Sequence, residues 1–365
     1  MANPHTYALV MAGGKGERFW PMSRERRPKQ LLALAGGKPL ICQAIDRLAG
    51  LVPPERTVVV TNASLVDPIR ALLPEGSGTG ILGEPVGRDT AAAIAAGAAW
   101  IRRRDPEAVF CVLTADHVIG DEETFRGTLA AALELCGERD ALVTIGIQPT
   151  EPSSAYGYIA LGEKEEERGG FEFHRSAGFK EKPTREVAEE YLAGGKTLWN
   201  SGMFVWSAAS LRKAYGKWAP RLGELMDEWS GCADDAAQLA AMEKDFPGLE
   251  KISIDYAVME RADNILVCRG RFAWDDVGSW PALESHLPKD AAGNAVKGNV
   301  EEVGSAGCIV VDGEEAGRLT ALVGVKDLIV VQAEGVTLVC DKAHSQDIKA
   351  LLGRLRARGD CGGLL

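Results

Sequence analysis

The chain has 365 residues, 46% hydrophobic and 25% charged, with 41 basic against 52 acidic side chains and a formal net charge of −11. That mixture excludes a globally disordered chain, and the acidic surplus argues against a nucleic-acid backbone or an anionic membrane as the main partner. At roughly 100–200 residues per domain the length suits two domains; 42 glycines, against a usual share of about 7%, point to tight turns or close backbone approaches.

Residues 1–7 carry no basic patch leading into an apolar stretch, so no secretory leader is expected. Residues 7–12, 57–61, 108–114 and 141–147 are short apolar runs that read as buried strands. Residues 40–48, 90–104 and 122–135 read as helices, the second Ala-rich with Asp89 or Thr90 as its cap. The longest apolar stretch, 90–101, is too short for a bilayer, which needs about 20 residues. Strand–helix alternation predicts an α/β fold with a doubly wound, mostly parallel sheet. In such sheets ligands gather at the carboxyl ends of strands, here Gly13 and Gly14, residues 115–117 and the loop after Ile147. Residues 156–280 mix strands with charged helices at 185–192 and 211–218. From Gly293 short β-type runs at 307–311, 319–325, 328–331 and 336–339 predict a small β module or a β-solenoid coil, too few in turns to set a period, closed by a helix at 345–358 that Gly359 stops. The expected domains are 1–290 and 291–365. The eight cysteines form no C-x-x-C pair and fit reduced thiols in a cytoplasmic protein.

Directly after the first strand come Ala12-Gly13-Gly14-Lys15-Gly16-Glu17-Arg18-Phe19-Trp20-Pro21-Met22-Ser23-Arg24, and then Pro28-Lys29-Gln30. Three glycines in four positions let backbone N–H groups approach an anion closely. Lys15, Arg18, Arg24, Arg26, Arg27 and Lys29 crowd this stretch of a net-acidic protein, the pattern of a polyphosphate site. A P-loop would need Gly-Lys-Ser/Thr, and a dinucleotide fingerprint would need glycine where Phe19 stands. A glycine turn before a solvated basic helix is the plainer alternative.

The loop resembles the signature of sugar-nucleotide pyrophosphorylases. Its Phe19-Trp20 and closing Pro28-Lys29-Gln30 resemble the mannose-1-phosphate guanylyltransferase family in particular. Matching segments follow in family order at 84–93, 113–117, 156–159, 179–183, 199–204, 253–260 and 274–280. The resemblance implies a Rossmann-like nucleotide-diphospho-sugar transferase fold. It also implies a short left-handed β-helix tail that relatives use for packing and often for dimer contact, so a homodimer is one expected arrangement. The implied reaction joins GTP and mannose 1-phosphate to give GDP-mannose and pyrophosphate, by in-line attack of the sugar phosphate on the α-phosphorus.

The resemblance further implies site residues. Asp116 and Asp276 would hold Mg²⁺, with Asp275 a competitor to Asp276. Arg18 and Lys29 would bind the triphosphate and stabilise the leaving pyrophosphate. Ala12, Gly13, Gly14 and Gly16 would offer backbone, and Glu84, Arg88 and Asp89 nucleotide contacts. Gly157, Glu181, Lys182 and Asn200 would receive the sugar phosphate. The choice of guanine and mannose rests on the resemblance; another sugar 1-phosphate, another base or a non-catalytic nucleotide-sugar sensor are the alternatives. Relatives with an added phosphomannose isomerase module need a longer tail than the stretch after Asp290, so isomerase activity is not expected.

Overall fold

The computed structural model describes residues 3–313 and 318–365; Met1 and Ala2, at the head of the stretch read for a leader, lie outside the described residues. The chain divides into two compact units. The first gathers Met1–Gly13, Ala44–Ala115 and Ile119–Trp274, and the second Gly14–Gln43, Asp116–Val118 and Asp275–Leu365.

The first unit is built on nine strands: β1 (Thr6–Ala12), β2 (Thr57–Asn62), β3 (Gly80–Glu84), β4 (Val109–Thr114), β5 (Leu142–Ile147), β6 (Tyr158–Arg168), β7 (Phe171–Lys180), β8 (Thr197–Ser207) and β9 (Ile265–Gly270). Their order is β3-β2-β1-β4-β8-β5-β9-β7-β6. β1 pairs in parallel with β2 and β4, and β2 with β3. This is the half whose apolar runs were legible, because a strand covered on both faces is apolar throughout. β8 then runs antiparallel to β4 and β5, and β7 antiparallel to β9 and β6, so the whole sheet is mixed.

Helix α1 (Asp89–Arg104) explains its own composition. Residues 91–101 are all buried, and a Cβ at Gly97 would collide with Leu9 Cδ1. Only small side chains let a helix lie this close to the strands beneath. Its start differs from expectation: Arg88 is the N-cap, with no side-chain cap bond, and Asp89 opens the helix at φ 67°. There its Oδ1 accepts from the Thr90 N–H at 2.8 Å. Helix α2 (Glu122–Glu138) starts as its composition suggests, with Asp121 Oδ1 accepting from Thr124 N–H at 3.1 Å.

The second unit stacks short strands in coils: β10 (Ala295–Lys297), β11 (Asn299–Val303), β12 (Ile309–Asp312), β13 (Leu319–Val323), β14 (Leu328–Ala333) and β15 (Val336–Asp341). β10, β12 and β14 pair in parallel, as do β11 and β13, while β15 closes antiparallel on β14. The coils lie in register, Ile309 beside Ile329 and Asn299 beside Leu319. Helix α3 (Ile348–Arg358) follows a 3₁₀ run over Lys342–Asp347, later than the sequence pattern suggests, and ends at Gly359 with φ 73°. Ile309, Val311, Ile329, Val331, Ile348 and Leu352 form one core with Phe19, Trp20, Leu32 and Trp280. The glycine-rich loop is thereby seated on the carboxyl-terminal coils. Trp20 Nε1 donates to Leu364 O at 2.7 Å, and Arg24 donates to the carbonyls of Gly363 (2.7 Å) and Glu334 (3.1 Å). No helix among the described residues is long and apolar enough to cross a membrane.

Candidate active site

The second unit opens at Gly14 with a sharp turn. Gly14 and Gly16 have φ of 94° and 60°, and nothing lies within 4 Å of where a Cβ on Gly14 would stand. Gly16 is required for a second reason: a Cβ there would sit 2.5 Å from Lys29 Cβ. This close approach brings the two ends of the basic stretch together. Phe19 packs edge-on against Trp280, ring centroids 5.0 Å apart, which fixes the short 3₁₀ turn Glu17–Phe19 that carries Arg18. Gly16, Arg18, Lys29, Asp116, Asp276 and Gly278 line one cleft of about 410 Å³.

Lys29 is the hub of that cleft. Its side chain is 6% exposed, and Nζ donates to Asp116 Oδ2 at 2.8 Å and to the Asp276 carbonyl at 2.5 Å. Burial pushes the Asp116 carboxyl up, but Lys29 and then His117 pull it down, and the net result lies below the usual Asp value. Arg18 Nη1 donates to Gly278 O at 3.3 Å, while its buried Nε has no partner, which leaves a donor in the cleft wall for an anion. The turn Asp275–Gly278 sorts the two adjacent aspartates. Asp275 Oδ2 is bound to His286 Nε2 at 2.8 Å and its Oδ1 accepts from Val277 N–H, whereas Asp276 lines the cleft and accepts from Gly278 N–H at 3.1 Å. Val277 pays for this arrangement with φ 43°, strained for a β-branched residue and a mark of a functional turn. Among the described residues no three His, Cys, Asp or Glu side chains gather as a metal cage. Two carboxylates on a cleft wall fit the habit of Mg²⁺, which takes one or two carboxylates and completes its shell with substrate phosphates and water.

The first unit carries a separate polar cluster. Asn200 N–H donates to Gly157 O at 2.8 Å, and Asn200 Nδ2 donates to Asp255 Oδ1 at 2.9 Å. Gly202 N–H donates to Asn200 Oδ1, which fixes the amide orientation. A Cβ on Gly157 would collide with Glu181 Oε2, so the glycine leaves room for that carboxylate. Glu181 Oε1 holds Lys182 Nζ at 2.6 Å, and Lys182 sits at φ 43°. Gly157, Glu181, Lys182 and Asn200 are thus brought together. Sequence reasoning gave no role to Asp255, whose signal was a lone carboxylate in an apolar run. Burial, and then the charge of Glu181, push it up to about 6. Tyr156 packs edge-on against Trp199 and Trp274, at 4.8 and 5.2 Å, making an aromatic wall beside Gly157.

The segment expected to meet the nucleotide is only partly turned outward. Glu84, at the carboxyl end of β3, is 7% exposed, its Oε1 has no partner, and burial followed by the charge of Asp89 lifts it to about 7. Arg88 instead donates to the backbone carbonyls of Phe246 (2.9 Å) and Pro247 (2.5 Å), so its guanidinium is committed to a loop. Ala12 ends β1, with its carbonyl accepting from Thr61 Oγ1 at 3.0 Å, and Gly13 follows with open space around it.

Comparison with known proteins gives a consistent answer. Residues 7–293 match the family model for nucleotidyl transferases, and residues 298–355 match a mannose-phosphate isomerase/GMP-like β-helix domain. The chain is 38% identical to the mannose-1-phosphate guanylyltransferase of Escherichia coli K12, over 98% of this chain and 75% of that protein. It is 36% identical to the Klebsiella pneumoniae protein of the same name, over 93% and 72%. A crystal structure from Thermus thermophilus, described as a mannose-1-phosphate geranyltransferase, superposes with a TM-score of 0.85 at 38% identity, covering 96% of this chain and 99% of that one.

Proposed function

The chain belongs to the nucleotidyl transferase family, in its mannose-1-phosphate guanylyltransferase branch, and on that premise we propose that it transfers GMP from GTP to mannose 1-phosphate. An oxygen of the sugar phosphate attacks the α-phosphorus in line. A new O–P bond forms, the bond from the α-phosphorus to the β-bridging oxygen breaks, and pyrophosphate leaves with that electron pair. No covalent enzyme intermediate is needed, so the residues act by positioning and by opposing charge.

The observation that carries this reading is the buried Lys29 among Arg18, Asp116 and Asp276 on a glycine-lined cleft. Arg18 and Lys29 bind the triphosphate, Arg18 with the donor that has no protein partner. Gly13 and Gly14 let the phosphates approach the backbone, and Gly16 lets Lys29 close onto the loop that holds them. Asp116 and Asp276 would hold a magnesium ion, whose charge would offset that of the phosphates when bound. Lys182 binds the phosphate of the sugar substrate, and Glu181 and Asn200 bind its hydroxyls. Glu84 Oε1, which has no protein partner, offers an acceptor for the N1 and N2 donor edge of guanine. A reducing cytoplasm suits the eight free thiols.

Pyrophosphate release, measured across a panel of nucleoside triphosphates and sugar 1-phosphates with Mg²⁺, tests the reading. GTP with mannose 1-phosphate should give the highest kcat/KM. A higher value for another pair would transfer the assignment to that pair, and a folded protein inert on the whole panel would remove it.

A further inference from the structure

The cleft that carries Arg18, Lys29, Asp116 and Asp276 has one more cationic wall, and α3 supplies it. Lys349 stands in the first turn of that helix and lines the cleft. We propose that Lys349 binds the β- and γ-phosphates of the nucleoside triphosphate and stabilises the pyrophosphate as it departs, which rests on the functional reading above.

Three observations carry the argument. The first is the state of the other cations. Lys29 is bound by Asp116 and the Asp276 carbonyl, Arg18 Nη1 by Gly278 O, and Lys15 faces Glu25 at 3.8 Å. Lys349 is exposed and, among the described residues, has no carboxylate partner. Like Arg18, whose one bond is to a carbonyl, it can turn to a new anion without breaking an ion pair, and unlike Lys29 it carries no bond that must first be broken. The second is the treatment of Glu17, a carboxylate on the same cleft that would oppose a phosphate. Arg356, farther along α3, binds Glu17 at 2.6 Å. One helix thus adds a positive charge to the cleft and offsets a negative one. The third is rigidity. Ile348 and Leu352 are buried in the core that holds Phe19 and Trp20, so the backbone beneath Lys349 is fixed to the same core as the glycine-rich loop. Lys349 shares its cleft with Gly16, Arg18 and Lys29, which places it with the triphosphate contacts.

The test uses the full chain with Lys349→Ala and Lys349→Arg, assayed forward with GTP and mannose 1-phosphate and in reverse with GDP-mannose and pyrophosphate. Lys349→Ala should raise KM for GTP and for pyrophosphate by about tenfold, the scale of one charge-assisted contact. KM for mannose 1-phosphate and GDP-mannose should stay within about twofold. Lys349→Arg should recover most of the loss, and added salt should narrow the gap between Ala variant and wild type, because an exposed charge is screened. An unchanged KM for pyrophosphate, an equal rise for both substrates, or an Arg variant as poor as the Ala variant would overturn the proposal. If the wild type itself does not turn over, the functional reading fails instead. Calorimetric titration of inorganic pyrophosphate into wild type and Lys349→Ala then still judges Lys349: weaker binding to the variant supports it, and equal binding overturns it.

Discussion

Asp255→Asn should make the protein more stable at pH 7 and leave it unchanged at pH 4. In the folded chain burial, and then the neighbouring Glu181 carboxylate, lift Asp255 to about 6, whereas an unfolded Asp titrates near about 3.9. An acid raised in the native state is a native state that holds its proton longer. Stability attributable to this group is therefore greatest below about pH 4 and falls as pH rises towards about 6. At about 1.4 kcal/mol for each tenfold, the interval from 3.9 to about 6 amounts to about 3 kcal/mol of destabilisation at pH 7. Asparagine keeps an oxygen to accept from Asn200 Nδ2, now 2.9 Å from Asp255 Oδ1, and removes the charge. Its own amide needs a new acceptor, so a gain of about 1–3 kcal/mol is expected. Urea unfolding followed by tryptophan fluorescence at pH 4, 5.5 and 7 measures it. A gain that does not depend on pH, or a loss at pH 7, would refute the reasoning. The same variant should lose kcat/KM for the sugar phosphate, because a carboxylate kept at that energetic disadvantage is expected to act on substrate or on Asn200.

Lys29→Met should lower kcat/KM by roughly 10²–10³-fold, the scale of one preorganised charge contact. Because Lys29 holds the Asp116 carboxyl below its usual value against burial, the variant's stability deficit should be visible at pH 7 and should close as the pH falls and Asp116 takes up its proton. Arg24→Ala should cost about 2–4 kcal/mol in thermal unfolding, since the side chain is buried and holds the carbonyls of Gly363 and Glu334; a change below about 0.5 kcal/mol would contradict the anchoring role. Chelation should stop turnover and added Mg²⁺ restore it. Asp116→Asn and Asp276→Asn should each lower kcat/KM by on the order of 10²-fold or more. Asp275→Asn, whose carboxylate is bound by His286, should reduce stability more than rate; a rate loss larger than that of Asp276→Asn would reverse the assignment of the two aspartates.

Much of the parallel half was legible because its strands carry unbroken apolar centres, as in β1, β2 and β4. The β6–β7 hairpin was not, since charged residues such as Glu165, Arg168 and Arg175 line it in ion pairs that leave no apolar run. The start of α1 escaped because Asp89 resembles a cap in composition, yet Arg88 is the N-cap and Asp89 already opens the first turn, with a left-handed backbone that no residue pattern announces. Within the site, Gly16 and Lys29 could be paired as members of one motif, but the close approach of Lys29 to the Gly16 α-carbon could not, as it depends on the turn between them. The resemblance implied a nucleotide contact at Arg88; the backbone carbonyls its guanidinium binds belong to residues some 160 positions away and leave no local trace. Asp255 and Lys349 carry no local signature. Each is distinguished by what the fold packs around it: Glu181 and Asn200 for one, the loop of Arg18 for the other.

The most direct measurement follows phosphorus. GTP radiolabelled at the α-phosphorus, incubated with mannose 1-phosphate and Mg²⁺, should deliver its label to GDP-mannose. GTP labelled at the β-phosphorus should deliver it to pyrophosphate. Label from the β-phosphorus in the sugar nucleotide, or no labelled sugar nucleotide from a folded protein, would contradict attack at the α-phosphorus and the transfer of GMP.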